Sequence, residues 1–393
     1  MKLKHYFFSL LLVYYFLHIF GFIFGFVFEP LVYFIGEHIF KIDYTFEVNG
    51  YGSGDNTYSY LASFCNLLAA FVVAFPVTFL LNKAKNIQVI QNYFFVLLRM
   101  YLIFFMLIYG LSKIYPMQFP PIGLQRLEQT YGDSSPMGLA WSFMQYSQTY
   151  TAFAGITEVL GALLLLSRRT MTLGALVLTG VLTNIVMMNF CYDIPVKLSS
   201  SHMLLAALIL LLSDYKRFIN FFVLNKEIKA KIHHNGFENG EEPKAFFLGK
   251  VVLKAFFAVG ITTYFTIQYF SYKDEMEKKP LLYGIYEVVP SEENTATYRS
   301  FIFDRYDTGV ITDTNYKKNI YSYKVDTKTK TVTFDGSQDT TAVKQVFKYQ
   351  KTKDELILTT TSAKKIHLKE KKGEAILLTY RGFNWINEYP YNR

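Results

Sequence analysis

Seven stretches of about twenty residues with almost no charge set the terms for this chain. Tyr6–Phe28, Tyr60–Leu81 and Met171–Phe190 hold no Asp, Glu, Lys or Arg, and Tyr93–Ser112, Tyr150–Leu166 and Val251–Tyr272 hold one each. Leu198–Ser213 is uncharged but short. About 17–25 apolar residues span a bilayer as a helix, so each block reads as a transmembrane helix. The first is longer than the apolar part of a signal peptide and ends in Phe28-Glu29-Pro30 without a small-residue cleavage site, so it reads as a retained span. Hydrophobic residues make up 51% and charged residues 18% of the 393, against about 25% charged in soluble domains. That balance excludes a disordered chain and a purely soluble enzyme.

Orientation follows from the distribution of Lys and Arg. With the N-terminus inside, thirteen basic residues fall on the inner side: Lys2, Lys4, Lys83, Lys85, Arg168 and Arg169, with seven more from Lys216 to Lys250. The outer loops hold four, Lys41, Lys113, Arg126 and Lys197. The net charge of +9 is then largely a matter of topology, and nucleic acid is not an expected partner. After Asp214, Phe218, Phe221, Phe222, Ile228 and Ile232 recur at roughly helical spacing among Lys and Arg, which predicts an amphipathic helix on the inner leaflet. Cys65 and Cys191 form neither a CxxC nor a zinc pattern and are expected to be free thiols.

From Leu281 onward the chain changes character. Short runs rich in Thr, Tyr, Val and Ile alternate with turns such as Asp326-Thr327-Lys328-Thr329. Nine runs read as strands: Leu282–Val289, Tyr298–Phe303, Gly309–Asp313, Asn319–Val325, Thr331–Phe334, Val343–Tyr349, Leu356–Thr360, Lys364–Leu368 and Ile376–Tyr380. Their spacing predicts an antiparallel meander closing into a lipocalin-like barrel. The expected fold class is a membrane α-helical bundle of about seven spans followed by an all-β C-terminal domain. The expected boundaries are 1–92 for an N-terminal helix pair, 93–225 for a four-helix module, 226–272 for a linker and seventh span, and 273–393 for the extracytoplasmic β-domain.

Ionisable groups inside spans are candidate functional residues because lipid makes them costly. Glu158 is surrounded at helical spacing by Ala154, Gly155, Gly161 and Ala162, so its face fits against another helix. Arg99 and Lys113 share one face of the third span, with Met106 and Gly110 between them. Asn184, Met188 and Cys191 share a face of the fifth, with Asn189 directed elsewhere; Asp193 and Lys197 follow, and His202 opens the sixth. Lys113, Glu158, Asn189, Asp193 and His202 all fall in the outer third of the membrane. The ligand-binding candidates are therefore Lys113, Glu158, Asn184, Asn189, Asp193 and His202, around one cavity open to the outside. Each has a structural alternative, namely ion pairing or packing. No metal site and no catalytic residue is indicated.

Spans three to six, about Tyr93–Asn225, resemble the DoxX-like membrane proteins. The resemblance rests on Ser135-Pro136-Met137-Gly138-Leu139-Ala140-Trp141-Ser142-Phe143, on Phe153–Gly161 running to Ser167-Arg168-Arg169-Thr170, and on Asn189–Leu198. The ending Arg381–Arg393 is similar to that of the larger, Bacteroidota-type members with a C-terminal β-domain. The resemblance implies a four-helix module in the bacterial inner membrane, with a Glu in its Gly-rich helix and a Lys closing the preceding span, here Glu158 and Lys113. Some relatives look like subunits of thiosulfate:quinone oxidoreductase and others are associated with thiol redox balance, which implies a quinone as a possible cofactor. The chain carries no dithiol motif, haem-ligand pair or flavin fingerprint. Two functional classes stay open: a redox-linked protein that binds a quinone or small molecule, and a non-enzymatic assembly protein whose periplasmic β-domain engages a protein partner. The bilayer itself is the remaining expected partner.

Overall fold

A computed structural model describes residues 3–42, 54–84, 87–228, 243–290, 297–336, 343–353 and 355–391. It divides into two compact units, one formed by 1–119 with 136–267 and the other by 120–135 with 268–393. The segment 120–135 belongs with the β-strands and not with the helices that flank it in sequence.

The first unit is helical. Its elements are α1 (Leu3–Phe20), α2 (Gly25–His38), α3 (Thr57–Lys83), α4 (Ile87–Ile114), and then, after the short α5 (Leu124–Leu127) of the other unit, α6 (Pro136–Tyr146), α7 (Gln148–Leu165), α8 (Met171–Cys191), α9 (Lys197–Leu212), α10 (Tyr215–Phe222), α11 (Lys244–Ala255) and the first part of α12 (Ile261–Glu277), whose residues from 268 on belong to the other unit. α11 and α12 form one rod joined by a π-helical turn at Phe256–Gly260. α4 packs on α7, α7 on α8, α8 on α9 and α9 back on α4, so these four close a ring. α4 is the inner helix: Leu98, Leu102, Ile103, Met106 and Leu107 are buried on it with Ala162, Leu165, Leu178, Leu182, Ala206 and Leu210 from its neighbours. α1 and α3 pack as a pair, and α2 packs on α3.

Five helical stretches are long and apolar enough to cross a membrane: Leu3–Phe20, Thr57–Lys83, Ile87–Ile114, Met171–Cys191 and Phe247–Glu277. A sixth is added if α9 and α10, bent by 73°, count as one span. The rows of exposed Phe, Val and Leu along α3 (Phe71, Val72, Phe75, Phe79, Leu80) suit lipid and not water. α7 is not among the five, because Glu158, Gln148 and its threonines dilute its apolar character. The expected first span is also redrawn. α1 stops at Phe20, and Gly21–Phe24 tightens into a 3₁₀ turn before α2, where Gly21 and Gly25 lower helix propensity. Beyond Asp214 the helix ends at Phe222, and Ile228 lies in irregular chain; Lys229, Lys231, Ile232 and His233–Glu242 fall outside the described residues.

In the second unit, β1 (Gly284–Val288), β2 (Tyr298–Phe303), β3 (Thr308–Asp313), β4 (Lys318–Asp326), β5 (Thr331–Asp335), β6 (Gln345–Lys351), β7 (Glu355–Thr359) and β8 (Lys365–Lys371) form a closed antiparallel barrel in chain order. Closure pairs β1 with β8, Ile285 opposite Lys371 and Val288 opposite Leu368, which leaves no open sheet edge. The interior is filled by rings. Phe334 lies 5.5–6.2 Å from Phe301, Phe303, Tyr321, Tyr323 and Phe347. Gly309 makes room for it, since a Cβ there would sit 2.7 Å from the Phe334 ring. The ninth expected strand is a correction: Gly373, in the left-handed region at φ +63°, opens a 3₁₀ turn (Gly373–Ala375), and Ile376 then leads into the short helix α13 (Leu377–Tyr380).

The barrel's outer face explains why 120–135 belongs to it. Ile285, Ile302 and Val310 point outward yet are buried beneath Leu124, with Leu127 beside them. The backbone N–H of Gln125 donates to the Asp304 carboxylate at 3.2 Å, and Lys318 donates to the Glu128 carbonyl at 2.7 Å. Lys371 pairs with Glu128 at 3.0 Å and with Glu287 at 3.3 Å. Partial burial by itself would lower the pKa of this ammonium, but its hydrogen bonds with both carboxylates and their charges outweigh burial and raise it.

Candidate functional site

Glycines bring α4 and α7 into near backbone contact. A Cβ on Gly110 would meet Val159 at 2.7 Å and the Gly155 carbonyl at 2.8 Å, and one on Gly155 would meet the Lys113 Cβ at 2.9 Å. This approach sets Lys113, at the end of α4, against Glu158, in the middle of α7. Lys113 Nζ lies 2.9 Å from Oε1 and 3.0 Å from Oε2 of Glu158. The side chains are 10% and 2% exposed, so the pair is desolvated. The Tyr109 carbonyl, 3.5 Å away, is a weaker second acceptor for the ammonium.

The pair forms part of the wall of a cavity of about 130 Å³. α4 contributes Met106 and Tyr109, α6 contributes Ala140, Trp141, Phe143 and Met144, and α7 adds Tyr150 and Ala154. Leu182, Asn184, Ile185, Met188 and Asn189 come from α8, and Ser199, Ser200 and Met203 from α9. Phe119 closes one side, edge-on to Trp141 with centroids 5.2 Å apart. The polar wall is therefore small: the ion pair, Asn184, Gln118, and Asn189 with the serines. Asn189 Nδ2 donates to Ser200 Oγ at 2.9 Å, and Ser200 in turn donates to the Lys197 carbonyl at 3.1 Å.

Four of the six candidate residues meet here: Lys113, Glu158, Asn184 and Asn189. Asn184 donates weakly to the Met188 sulfur at 3.8 Å, as their shared face requires. Asn189, expected to point elsewhere, is buried on the same wall. Asp193 and His202 are corrections. Asp193 adopts φ +51° just past the end of α8, which turns its side chain outward to 84% exposure, where it pairs with Lys197 at 2.8 Å. Lys197 and Leu198 donate their backbone N–H groups to Asp55 at 2.8 and 3.0 Å, so a residue ahead of α3 caps α9.

His202 faces α1 instead of the cavity. Its ring stacks on His18 at 4.1 Å and accepts from or donates to the Tyr14 hydroxyl at 2.5 Å through Nε2. Nδ1 lies 2.7 Å from the Leu198 carbonyl, which can only accept, so Nδ1 carries the proton and Nε2 accepts from Tyr14. His18 and Tyr101 complete the cluster at 3.1 Å, and Tyr15 donates to the His202 carbonyl at 2.9 Å. Arg99 is a packing residue. It sits 4% exposed and donates through Nε at 2.7 Å, and also through Nη2, to the Leu165 carbonyl at the end of α7. Cys65 is buried, Cys191 is exposed, and both are free thiols.

Of the cavity residues not expected from the sequence, Gln118, Ser199 and Ser200 add polar groups, while most are apolar, Trp141, Phe119, Met144, Met188 and Met203 among them. Their types carry no signal of their own, because aromatic and thioether side chains are common in any packed span. No group of three or more His, Cys, Asp or Glu suited to a metal occurs among the described residues.

No protein-family model matches the chain, and no solved structure matches it. The chain is 37% identical over 124 residues to the uncharacterized protein YwoB of Bacillus subtilis (strain 168). The match covers 32% of this chain and 79% of that relative. On that identity and coverage, the chain belongs to the same family as YwoB.

Proposed function

We propose that this chain is a DoxX-like protein of the bacterial inner membrane whose cavity, open toward the outer side, takes the ring of a quinone or similar small molecule in a redox-linked role. The observation that carries the reading is a desolvated Lys–Glu pair on the wall of a ring-sized, mostly apolar cavity. Cavities that take ligands combine apolar walls with a few convergent polar groups, and a cavity of about 150 Å³ holds benzene. The space beside Lys113 and Glu158 is close to that size. Lys113 is the donor for a ring carbonyl, and Glu158 is the carboxyl that passes a proton to or from the ring oxygen. Reduction of a quinone to its quinol takes up two electrons and two protons. The part given to this chain's residues is to bind the ring and handle those protons. The closed ring of α4, α7, α8 and α9 supports the four-helix module that the DoxX resemblance implies.

Chain parity supports seven spans. The segment 120–135 and the barrel are one unit, so the chain between them crosses the bilayer an even number of times. α8, the α9–α10 pair and the α11–α12 rod account for three crossings. α7, with 18 residues, is about 27 Å long at 1.5 Å per residue and makes the fourth. α1, α3 and α4 precede them, and the charge bias places the N-terminus in the cytoplasm and the barrel in the periplasm. Labelling a cysteine placed at Thr327, in a background free of Cys65 and Cys191, tests this; a reagent confined to the outside should reach it in intact spheroplasts.

The functional test is a titration of native-nanodisc protein with a short-chain quinone, read by quenching of Trp141 on the cavity wall, together with mass spectrometry of what co-purifies. Saturable quenching that weakens in Glu158→Gln supports the reading. Protein without co-purified quinone and without saturable quenching refutes it.

A further inference from the structure

The barrel's C-terminal extension presents an unusual surface. Phe383 is 78% exposed, Trp385 90%, Ile386 78% and Tyr389 85%, and Leu378 and Tyr380 lead into them at about half exposure. A water-facing domain rarely leaves so much contiguous apolar area open. The strand register shows where this segment leaves the barrel. β1 begins at Gly284, seven residues after α12 ends at Glu277, a gap the chain spans in at most about 25 Å. β8 runs antiparallel to β1 and ends with Lys371 opposite Ile285. The extension therefore departs from the same end of the barrel at which the membrane-crossing rod arrives.

From this register and composition we infer that Leu377–Tyr391 is a second membrane attachment, lying in the headgroup layer of the leaflet that faces the barrel. The composition suits an interfacial position and not a span. Trp and Tyr are the side chains enriched at the membrane–water boundary, and here Arg381, Asn384, Asn387 and Glu388 interrupt them, so no stretch is apolar enough to cross. Around the junction Lys278, Lys279 and Lys372 are exposed together with Asp274, Glu275, Glu277 and Glu374, and Lys372 pairs with Glu370 at 3.4 Å, so this near-neutral surface leaves the aromatic side chains to carry the attachment to the headgroup layer. Because α12 already holds the domain at the bilayer, the segment needs only weak intrinsic affinity to stay seated. The inference is independent of what the intramembrane cavity binds.

The chain contains two tryptophans, Trp141 and Trp385, which makes the test direct. In Trp141→Phe, reconstituted in nanodiscs of phosphatidylcholine and phosphatidylglycerol, the remaining emission comes from Trp385. Lipids brominated high on the acyl chain should quench most of it, lipids brominated near the bilayer centre should quench it far less, and aqueous iodide should quench it weakly. Emission indifferent to brominated lipid overturns the inference in either of two ways. Strong iodide quenching would mean that the segment stays in water, and weak iodide quenching that protein covers it. Should Trp141→Phe fold poorly, the difference between unmodified protein and Trp385→Phe under the same quenchers reads the same quantity.

Discussion

Replacing Lys113 with Met leaves Glu158, 2% exposed, without its cation, and Glu158→Gln leaves the ammonium with a neutral amide and the 3.5 Å contact to the Tyr109 carbonyl. Two unit charges about 4 Å apart attract by about 4 kcal/mol at the effective dielectric typical of protein sites. Removing one partner of such a buried pair costs about 3–5 kcal/mol, because the other charge stays desolvated and unpaired. Lys113→Met should therefore lower the unfolding free energy in a denaturant titration of detergent-solubilised protein by about that amount. Glu158→Gln should cost somewhat less, since the amide oxygen still accepts one hydrogen bond. The double variant Lys113→Met/Glu158→Leu, which replaces both charges by apolar groups of similar volume, should regain much of the loss, because the desolvation cost of both ions disappears with them. The thermodynamic cycle then gives a coupling of about 3 kcal/mol. The double variant also separates roles: restored stability without saturable quinone quenching assigns the pair to the ligand as well as to the fold. Single variants within about 1 kcal/mol of the unmodified protein, or losses that simply add, would refute the premise that the pair is desolvated.

Gly155→Ala pushes a methyl group into α4 and should cost about 1–3 kcal/mol by overpacking, with weakened ligand quenching in the same titration. Phe334→Ala removes the ring at the centre of the barrel and should cost about 3–5 kcal/mol, read as a lower temperature for loss of β signal in circular dichroism. Asp55→Ala removes the cap of α9 and should cost about 0.5–2 kcal/mol, measured by thermal unfolding. Lys371 has a raised folded-state pKa, so its contribution is fully present below the ordinary lysine value of about 10.4 and is lost as pH rises through the higher folded value. The melting difference between unmodified protein and Lys371→Met should be constant near neutrality and close above about pH 10.4.

The barrel was readable because its signals are local. A run such as Ile320–Val325 alternates with period two, and the turn at Asp326–Thr329 follows from Asp326 accepting from the Lys328 and Thr329 backbone N–H groups at 2.8 and 3.3 Å. Eight of the nine expected strands form, Tyr298–Phe303 with the expected ends and the others with ends shifted by at most three residues. The ninth failed because Ile376–Tyr380 has strand-like residues but follows a glycine turn and finds no partner, since β1 and β8 already close the sheet. The clamp of 120–135 on the barrel left no trace in local pattern. Leu124, Glu128 and Asp304 are ordinary residues until the fold brings them together across some 180 positions of chain.

The same distinction runs through the intramembrane site. Lys113 and Glu158 could be matched in advance because lipid makes an unpaired charge untenable, and because the small residues around Glu158 advertise the face on which its partner must lie. His202 carries no such constraint: a neutral imidazole is satisfied by any hydroxyl or carbonyl, and Tyr14, which satisfies it, is 188 residues away on a helix with no charge to mark its inner face. Asp193 fails for a backbone reason, since one residue in the left-handed region at the end of α8 reverses the direction of its side chain without changing its depth. In this membrane bundle, then, charge and glycine spacing locate the residues whose burial demands a specific partner. The neutral residues that shape the cavity, Trp141 and the methionines among them, are chosen by volume, and volume is decided by which helices become neighbours.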